Sequence, residues 1–292
     1  MQERVARSMN PVGSRQAISF LARKVPDGST KQMWLTDKKI VVIGGTTGMG
    51  LAAAQSFVAE GAQVVVVGRN PENGAKAEQQ LSGNGLAMSG DAADPQTAPK
   101  AIGLCQQIFG GFDGLYHVAG GSGRRFGDGP LHELTLDGWQ YTMNTNLTAM
   151  MLSNQAAVRA FRAQESGGTI LNMGSVLGQS PSPAYFATHA YAAAKSAVIG
   201  FSRSVASYYA SQNIRVNVLV PSLVETPMSQ RAVNDDKIMA FIPSKQPLDG
   251  GRIGHPNDLS GAAVYFMSDQ SRFTTGQVLT IDGGWSVSEG QY

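Results

Sequence analysis

The chain has almost no cysteine: Cys105 alone in 292 residues. That excludes an intrachain disulfide framework and fits a reducing, cytoplasmic setting. Histidine is scarce too. Four scattered copies and no cysteine cluster give no metal-ligand spacing, so no metal is expected. No apolar run approaches the roughly 18 residues that a membrane-spanning helix needs, so no membrane partner is expected. The formal net charge is only +2, which gives composition no reason to suggest a nucleic-acid partner. What is present is a chain with 42% apolar residues, enough to bury a full core.

The small charge excess is unevenly spread. Residues 1–39 hold eight Lys/Arg against three Asp/Glu, while the remainder is slightly acidic. This basic segment contains the weakly amphipathic stretch 17–24. Its composition suits either a flexible or oligomer-contacting tail or an organelle-targeting leader. It has no apolar core of the secretory kind. Residues 1–37 are therefore read as an extension, and 38–292 as the folded domain.

From Lys38 onward, strand and helix patterns alternate. Apolar runs predict strands over 39–44, 63–67, 84–90, 112–118, 169–173, 215–220 and 277–281. Helical periodicity covers 48–60, 95–109, 136–162 and 191–211. Continuous apolar strands separated by helices mean a parallel sheet covered on both faces. With no internal repeat, low-complexity tract or linker after residue 39, the expected fold is α/β: a single, Rossmann-type doubly wound domain.

Between the first strand and first helix lies Gly44-Gly-Thr-Thr-Gly48-Met-Gly50. Glycines there let backbone amides approach a pyrophosphate at a positive helix N-terminus. Thr46, Thr47 and Met49 belong to the same turn. The second strand ends in Gly68-Arg69. An NAD-specific site would carry a carboxylate about here, whereas Arg69 offers a cationic fork for a 2′-phosphate. The expected cofactor is NADP(H), with NAD(H) as the alternative.

Tyr191 and Lys195 are four residues apart, hence on one face of a helix. An ammonium beside a phenol favours the phenolate and lowers its pKa, which makes Tyr191 a candidate acid/base. Ser175 closes the β-rich run that starts at Gly168. Arg124 and Arg125 follow the fourth strand, whose C-terminal end faces the ligand crevice in such sheets. They suit an anionic substrate or simple solvation. His189 suits a substrate contact or an ordinary loop position.

Together these residues resemble the short-chain dehydrogenase/reductases from about Lys38 to Trp285. The pattern comprises Gly44-x3-Gly48-x-Gly50, Asp91-Ala92, Ala119-Gly120, Asn146-Leu147, Ser175, Tyr191-x3-Lys195, the run from Pro221 to Thr226, and Asp282-Gly-Gly284. The resemblance implies hydride transfer between NADP(H) and a carbonyl or secondary alcohol, with Tyr191 moving the proton. Ser175 would hold the substrate oxygen. Lys195 would grip the nicotinamide ribose and lower the Tyr191 pKa, and Asn146 would hold a water linking Lys195 to solvent. Asp91, Ala92, Ala119 and Gly120 would line the adenosine side, and Val224 and Thr226 the carboxamide. The family also implies a homo-oligomer, a two-fold tetramer, built on the helices around Asn146 and Tyr191. Ala192, Ala193, Ala197, Phe201 and Ala206 provide a small and apolar surface for it.

Some positions depart from the family pattern. Ile43 replaces a usual Thr, His117 a strand-bracing Asn, and Ser222 a usual Gly that would cost strain if φ were positive there. The alternative to an enzyme is a non-catalytic NADP-binding sensor or scaffold on the same fold, which would be expected to have lost Tyr191 or Lys195. A serine hydrolase would want Gly-x-Ser-x-Gly, absent around Ser122 and Ser175. Over the nicotinamide, residues 226–250 with Met228, Met239, Phe241, Ile242 and Pro243 should form a partly apolar, adaptable lid. It would suit a ketone, a 3-oxoacyl thioester or a cyclic alcohol equally.

Overall fold

The computed structural model describes residues 33–290. The expected extension over residues 1–37 therefore lies almost wholly outside the described residues. Seven parallel strands form one sheet in the order β3-β2-β1-β4-β5-β6-β7. They are β1 (Lys39–Ile43), β2 (Gln63–Gly68), β3 (Gly85–Ser89), β4 (Gly114–His117), β5 (Gly168–Met173), β6 (Ile214–Pro221) and β7 (Val278–Ile281). The main helices are α1 (Gly48–Ala59), α2 (Pro71–Gln80), α3 (Thr97–Phe109), α4 (Leu136–Met143), α5 (Ala149–Gln164), α6 (His189–Tyr209), α7 (Gln230–Val233), α8 (Asp236–Lys245) and α9 (Ser260–Met267).

The β-branched run Ile40-Val-Val-Ile43 explains why β1 lies inside the sheet, between β2 and β4. Successive side chains point to opposite faces, and here both faces are dry. Ile40 and Val42 join Phe57 of α1 and Phe266 of α9 in one cluster. Val41 and Ile43 join Ile102 of α3 and Phe161 of α5 in the other. Complete burial of Phe57 contributes about 1.5–3 kcal/mol. A third cluster packs β6 against α8 and Trp285 beyond the sheet's C-terminal edge. Strand order reverses between β1 and β4, which opens a crevice outside their C-terminal ends.

Several elements differ from expectation. Helices α2, α7, α8 and α9 were absent from the sequence-based pattern, yet the start of α2 is well signalled. Asn70 accepts hydrogen bonds from the N–H groups of Glu72 and Asn73, at 2.8 and 3.2 Å, and Pro71 opens the first turn. Its weak apolar content hides it. The expected single helix over 136–162 is interrupted by a π-helical turn, Asn144–Thr148, centred on Asn146. Such turns insert extra backbone into an α-helix and re-aim one side chain.

Candidate active site

The glycine turn is built by close approach. Gly44 follows β1 at φ +87, and a Cβ there would stand 2.6 Å from the Ala119 nitrogen. A Cβ on Gly50 would stand 2.1 Å from the Gly44 carbonyl oxygen. Only glycine lets the three backbones meet. Helix α1 starts at Gly48 with no side-chain cap from Thr47 and no acidic residue in its first turn. Its first N–H groups are thus left for an anion at the positive end of the helix. Thr226 closes the approach from the other side, its Cγ2 3.2 Å from where a Gly48 Cβ would lie. Thr46 is buried, while Thr47 and Met49 are half-buried in the turn. These residues fit a dinucleotide.

The adenosine side is more open. Arg69 is exposed beyond β2, with no hydrogen bond or ion pair among the described residues. A Cβ on Gly68 would stand 2.0 Å from Thr46 Oγ1, so the crowded turn leaves no room for a carboxylate at that position. Asp91 is exposed and accepts from the Ala93 N–H at 3.0 Å, and Ala92 packs against the core. Ala119 and Gly120 continue the turn after β4, beside the glycine loop and Asn146.

Asn146 reaches back to this turn. Its Nδ2 donates to the carbonyls of Gly121 and Thr142, both at 2.9 Å, and its Oδ1 accepts from the Gly121 N–H at 3.1 Å. The π-turn thus lets a buried amide clamp the segment that follows β4. A Cβ on Gly120 would lie 2.7 Å from this Oδ1 and 3.5 Å from Lys195 Nζ, so Asn146 and Lys195 flank the same spot.

Ser175 and Tyr191 line one pocket, a cleft open to solvent. Lys195 is buried beneath them. Its Nζ donates to the Met173 carbonyl at 2.9 Å and lies 5.6 Å from the Tyr191 ring centroid. Burial pulls the Lys195 pKa down to about 8. The Tyr191 pKa moves the other way from the sequence expectation. Burial raises it, and the Ser175 hydroxyl only partly opposes. The cause is burial of the phenol; the Lys195 ammonium lies over the ring face and donates to Met173.

Other expectations are also corrected. Ser222 is not among the residues with positive φ, so it carries no strain there. His117 ties β4 to helix α5, its Nδ1 2.7 Å from Ser153 Oγ. Burial, reinforced by the Lys195 charge, pushes its pKa down to about 3, so the imidazole is neutral. His189 is not in a loop but opens α6. Of the five apolar side chains named for the lid only Met228 lines the pocket, beside Ser229, Arg231 and Ala232 of the same segment. Ile242 is fully buried, and Phe241 packs against Tyr185 and Trp285 at centroid distances of 5.2 and 6.3 Å. The segment is anchored in the core more than adaptable.

A family model described as enoyl-(acyl carrier protein) reductase matches residues 44–286, which takes in the glycine turn, Ser175, Tyr191 and Lys195. The chain belongs to the short-chain dehydrogenase/reductase family. The 2,5-dichloro-2,5-cyclohexadiene-1,4-diol dehydrogenase of Sphingobium indicum is 34% identical over 254 residues, covering 87% of this chain and 98% of its own. An NADP-dependent (R)-specific alcohol dehydrogenase of Lentilactobacillus kefiri is 31% identical over 257 residues, with the same two coverages of 87% and 98%. Among solved structures, a short-chain type dehydrogenase/reductase from Mycobacterium ulcerans superposes with a TM-score of 0.79 at 27% identity, over 87% of this chain and 91% of its own.

This dehydrogenase/reductase also uses residues the sequence did not single out. Asp128 is buried in the segment between β4 and α4. Its two carboxylate oxygens accept from the N–H groups of Ala190 and Tyr191, each at 3.0 Å. It caps α6 at the turn that carries Tyr191. Asp128 is 61 residues upstream of that helix, so no local capping pattern could reveal it. Trp285 closes the pocket from beyond β7 and donates from Nε1 to the Ser180 carbonyl at 3.1 Å.

Proposed function

We propose that this oxidoreductase moves a hydride between NADP(H) and a carbonyl or secondary alcohol, with Tyr191 as the proton donor and acceptor. One observation carries the reading: Ser175 and Tyr191 line a single pocket, with the Lys195 ammonium under the Tyr191 ring. When bound, NADP(H) supplies or accepts the hydride. In reduction, the Tyr191 O–H gives its proton to the substrate oxygen as the carbonyl carbon takes up the hydride. A raised phenol pKa keeps that proton in place at neutral pH. The Ser175 hydroxyl donates to the same oxygen and orients it. Lys195 spends one of its three N–H donors on Met173, leaving two for the nicotinamide ribose. Asn146 Oδ1 retains a lone pair for a water beside Lys195. Val224 and Thr226 would meet the carboxamide, and Asp91, Ala92, Ala119 and Gly120 the adenosine.

NADP(H) is favoured over NAD(H) because Arg69 is an exposed cation without a partner among the described residues, and the Thr46 side chain crowds position 68, where a carboxylate would sit. The test is NADPH oxidation across a ketone panel, with coenzyme binding followed by calorimetry. Tyr191→Phe should lower kcat by about a hundredfold or more while the coenzyme Kd stays put. Turnover that survives this substitution would overturn the assignment. Tight coenzyme binding with no turnover of any ketone or alcohol would favour the sensor or scaffold instead. The reading also includes a homo-oligomer of two-fold symmetry. Leu131, Leu136 and Phe126 are exposed near α4, and Ala192, Ala193 and Phe201 are half-exposed on α6. A monomer mass by light scattering at micromolar protein would refute it.

A further inference from the structure

Two guanidinium groups share the pocket with Tyr191. Arg124 belongs to the turn after β4, and Arg231 to α7, more than 100 residues later in the chain. Each donates from Nη2 to one acceptor, the Tyr185 carbonyl oxygen, at 3.1 and 3.4 Å. That shared acceptor holds the two planar cations side by side. Arg125, its neighbour in sequence, is exposed and does not line the pocket.

The pair has no paired carboxylate: neither arginine forms an ion pair among the described residues. No carboxylate lines the pocket; its other walls are hydroxyls and apolar groups such as Ser175, Leu223, Met228 and Trp285. Asp128 acts on Arg124 from a distance, so one negative charge stands near two positive ones, and its oxygens bond the start of α6 instead of either guanidinium. Burial and the Arg231 charge both push the Arg124 pKa down, which marks a cation held at a cost. A neutral carbonyl braces one guanidinium well, but it cannot balance two. Each fork keeps most of its five N–H donors for something else. The group that satisfies both donors and charge is an oxyanion, gripped by planar forks.

We infer that Arg124 and Arg231 bind an anionic group of the substrate, so that the enzyme acts on keto acids or hydroxy acids in the broad sense: a ketone or secondary alcohol linked by a short spacer to a carboxylate, sulfonate or phosphonate. This rests on the oxidoreductase reading and narrows its substrate class. The alcohol and carbonyl forms differ by a hydride, exchanged with NADP(H), and by the proton on Tyr191. The anion stays unchanged throughout and sets only the pose.

The experiment compares methyl ketones of increasing chain length that end in a carboxylate, each with its methyl ester, and adds the sulfonate and phosphonate analogues. Reduction by NADPH is measured for the wild type, Arg124→Gln, Arg231→Gln and the double variant. The readout is the ratio of kcat/KM for the acid to that for its ester. The wild type should favour at least one of the three anions by roughly tenfold or more, and each substitution should cut that ratio roughly tenfold. The preferred anion names the headgroup. Because Arg124 also braces Tyr185, Arg124→Lys serves as a second variant. It keeps the charge and should retain part of the preference. Equal rates on acid and ester in the wild type, or a ratio that the substitutions leave unchanged, would overturn the proposal. If no ketone is reduced at all, the oxidoreductase reading fails, and calorimetry of the same acids against coenzyme-free protein decides the anion site separately. Binding lost in the double variant would sustain it, and absence of binding would end it.

Discussion

The two halves of the site are made of different material. The proposed coenzyme side is shaped by backbone: Gly44, Gly48 and Gly50 remove side chains and leave the amides at the start of α1 open. The proposed substrate side is lined by side chains from segments far apart: Arg124, Ser175, Tyr191, Arg231 and Trp285. The first half tolerates no added atoms but needs few particular side chains. The second needs particular side chains held in place by others, such as Asp128.

The largest expected effect tests the backbone half. Gly50→Ala puts a Cβ against the Gly44 carbonyl, with no flexible group to yield. Coenzyme affinity should fall by about a hundredfold or more, since the turn must open to admit it. Gly103, in α3, is the matched control. Nothing lies within 4 Å of its Cβ position, so Gly103→Ala should instead stabilise by about 0.5–1 kcal/mol. Thermal melts and coenzyme titrations of both variants would settle it. Equal behaviour would show that space at the turn is not the constraint.

A middle-sized effect should separate the halves. Asp128→Asn leaves one acceptor for two N–H groups and turns amide donors towards the other. The loss of a charged cap should cost about 1–2 kcal/mol, or a few degrees in Tm. The displaced Tyr191 should lower kcat several-fold, with the coenzyme Kd unchanged. If the coenzyme Kd worsens as much as kcat, the two halves are one mechanical unit and the division fails. The smallest effect probes the coenzyme side's one specific side chain. Arg69→Ala should weaken NADPH about tenfold and NADH by less than about twofold. Parallel titrations with both coenzymes check this, and equal losses would remove Arg69 from the 2′-phosphate site.

This division also explains what could be read before any coordinates were available. Strands β1 and β2 carry unbroken apolar runs, and the parallel sheet follows from the alternation of strands with helices. The glycine turn was legible because its spacing is local. Helix α2 was not, because its capping signal at Asn70-Pro71 precedes a mostly polar sequence. The π-turn at Asn146 leaves no mark on an apolar pattern of ordinary period. The direction of the Tyr191 pKa was not legible either: spacing fixes which face two side chains share, but not how deeply the phenol is buried. Asp128 and Arg231 were invisible because each acts on a partner distant in sequence.

The all-parallel sheet has a further consequence, for the order in which the enzyme comes into being. The described strands include no hairpin. The nearest pairing joins Val64 to Gly85 across a whole helix, and Ile40 must wait for Gly114. Contacts of this kind demand that long loops close before anything is gained, which makes folding slow. A chain that has left the ribosome only as far as α6 already carries Ser175, Tyr191 and Lys195. It still lacks β6, which flanks β5, and Trp285, which closes the pocket. The reactive residues are thus synthesised well before the walls that would shelter them, and activity should switch on only when the last strand docks.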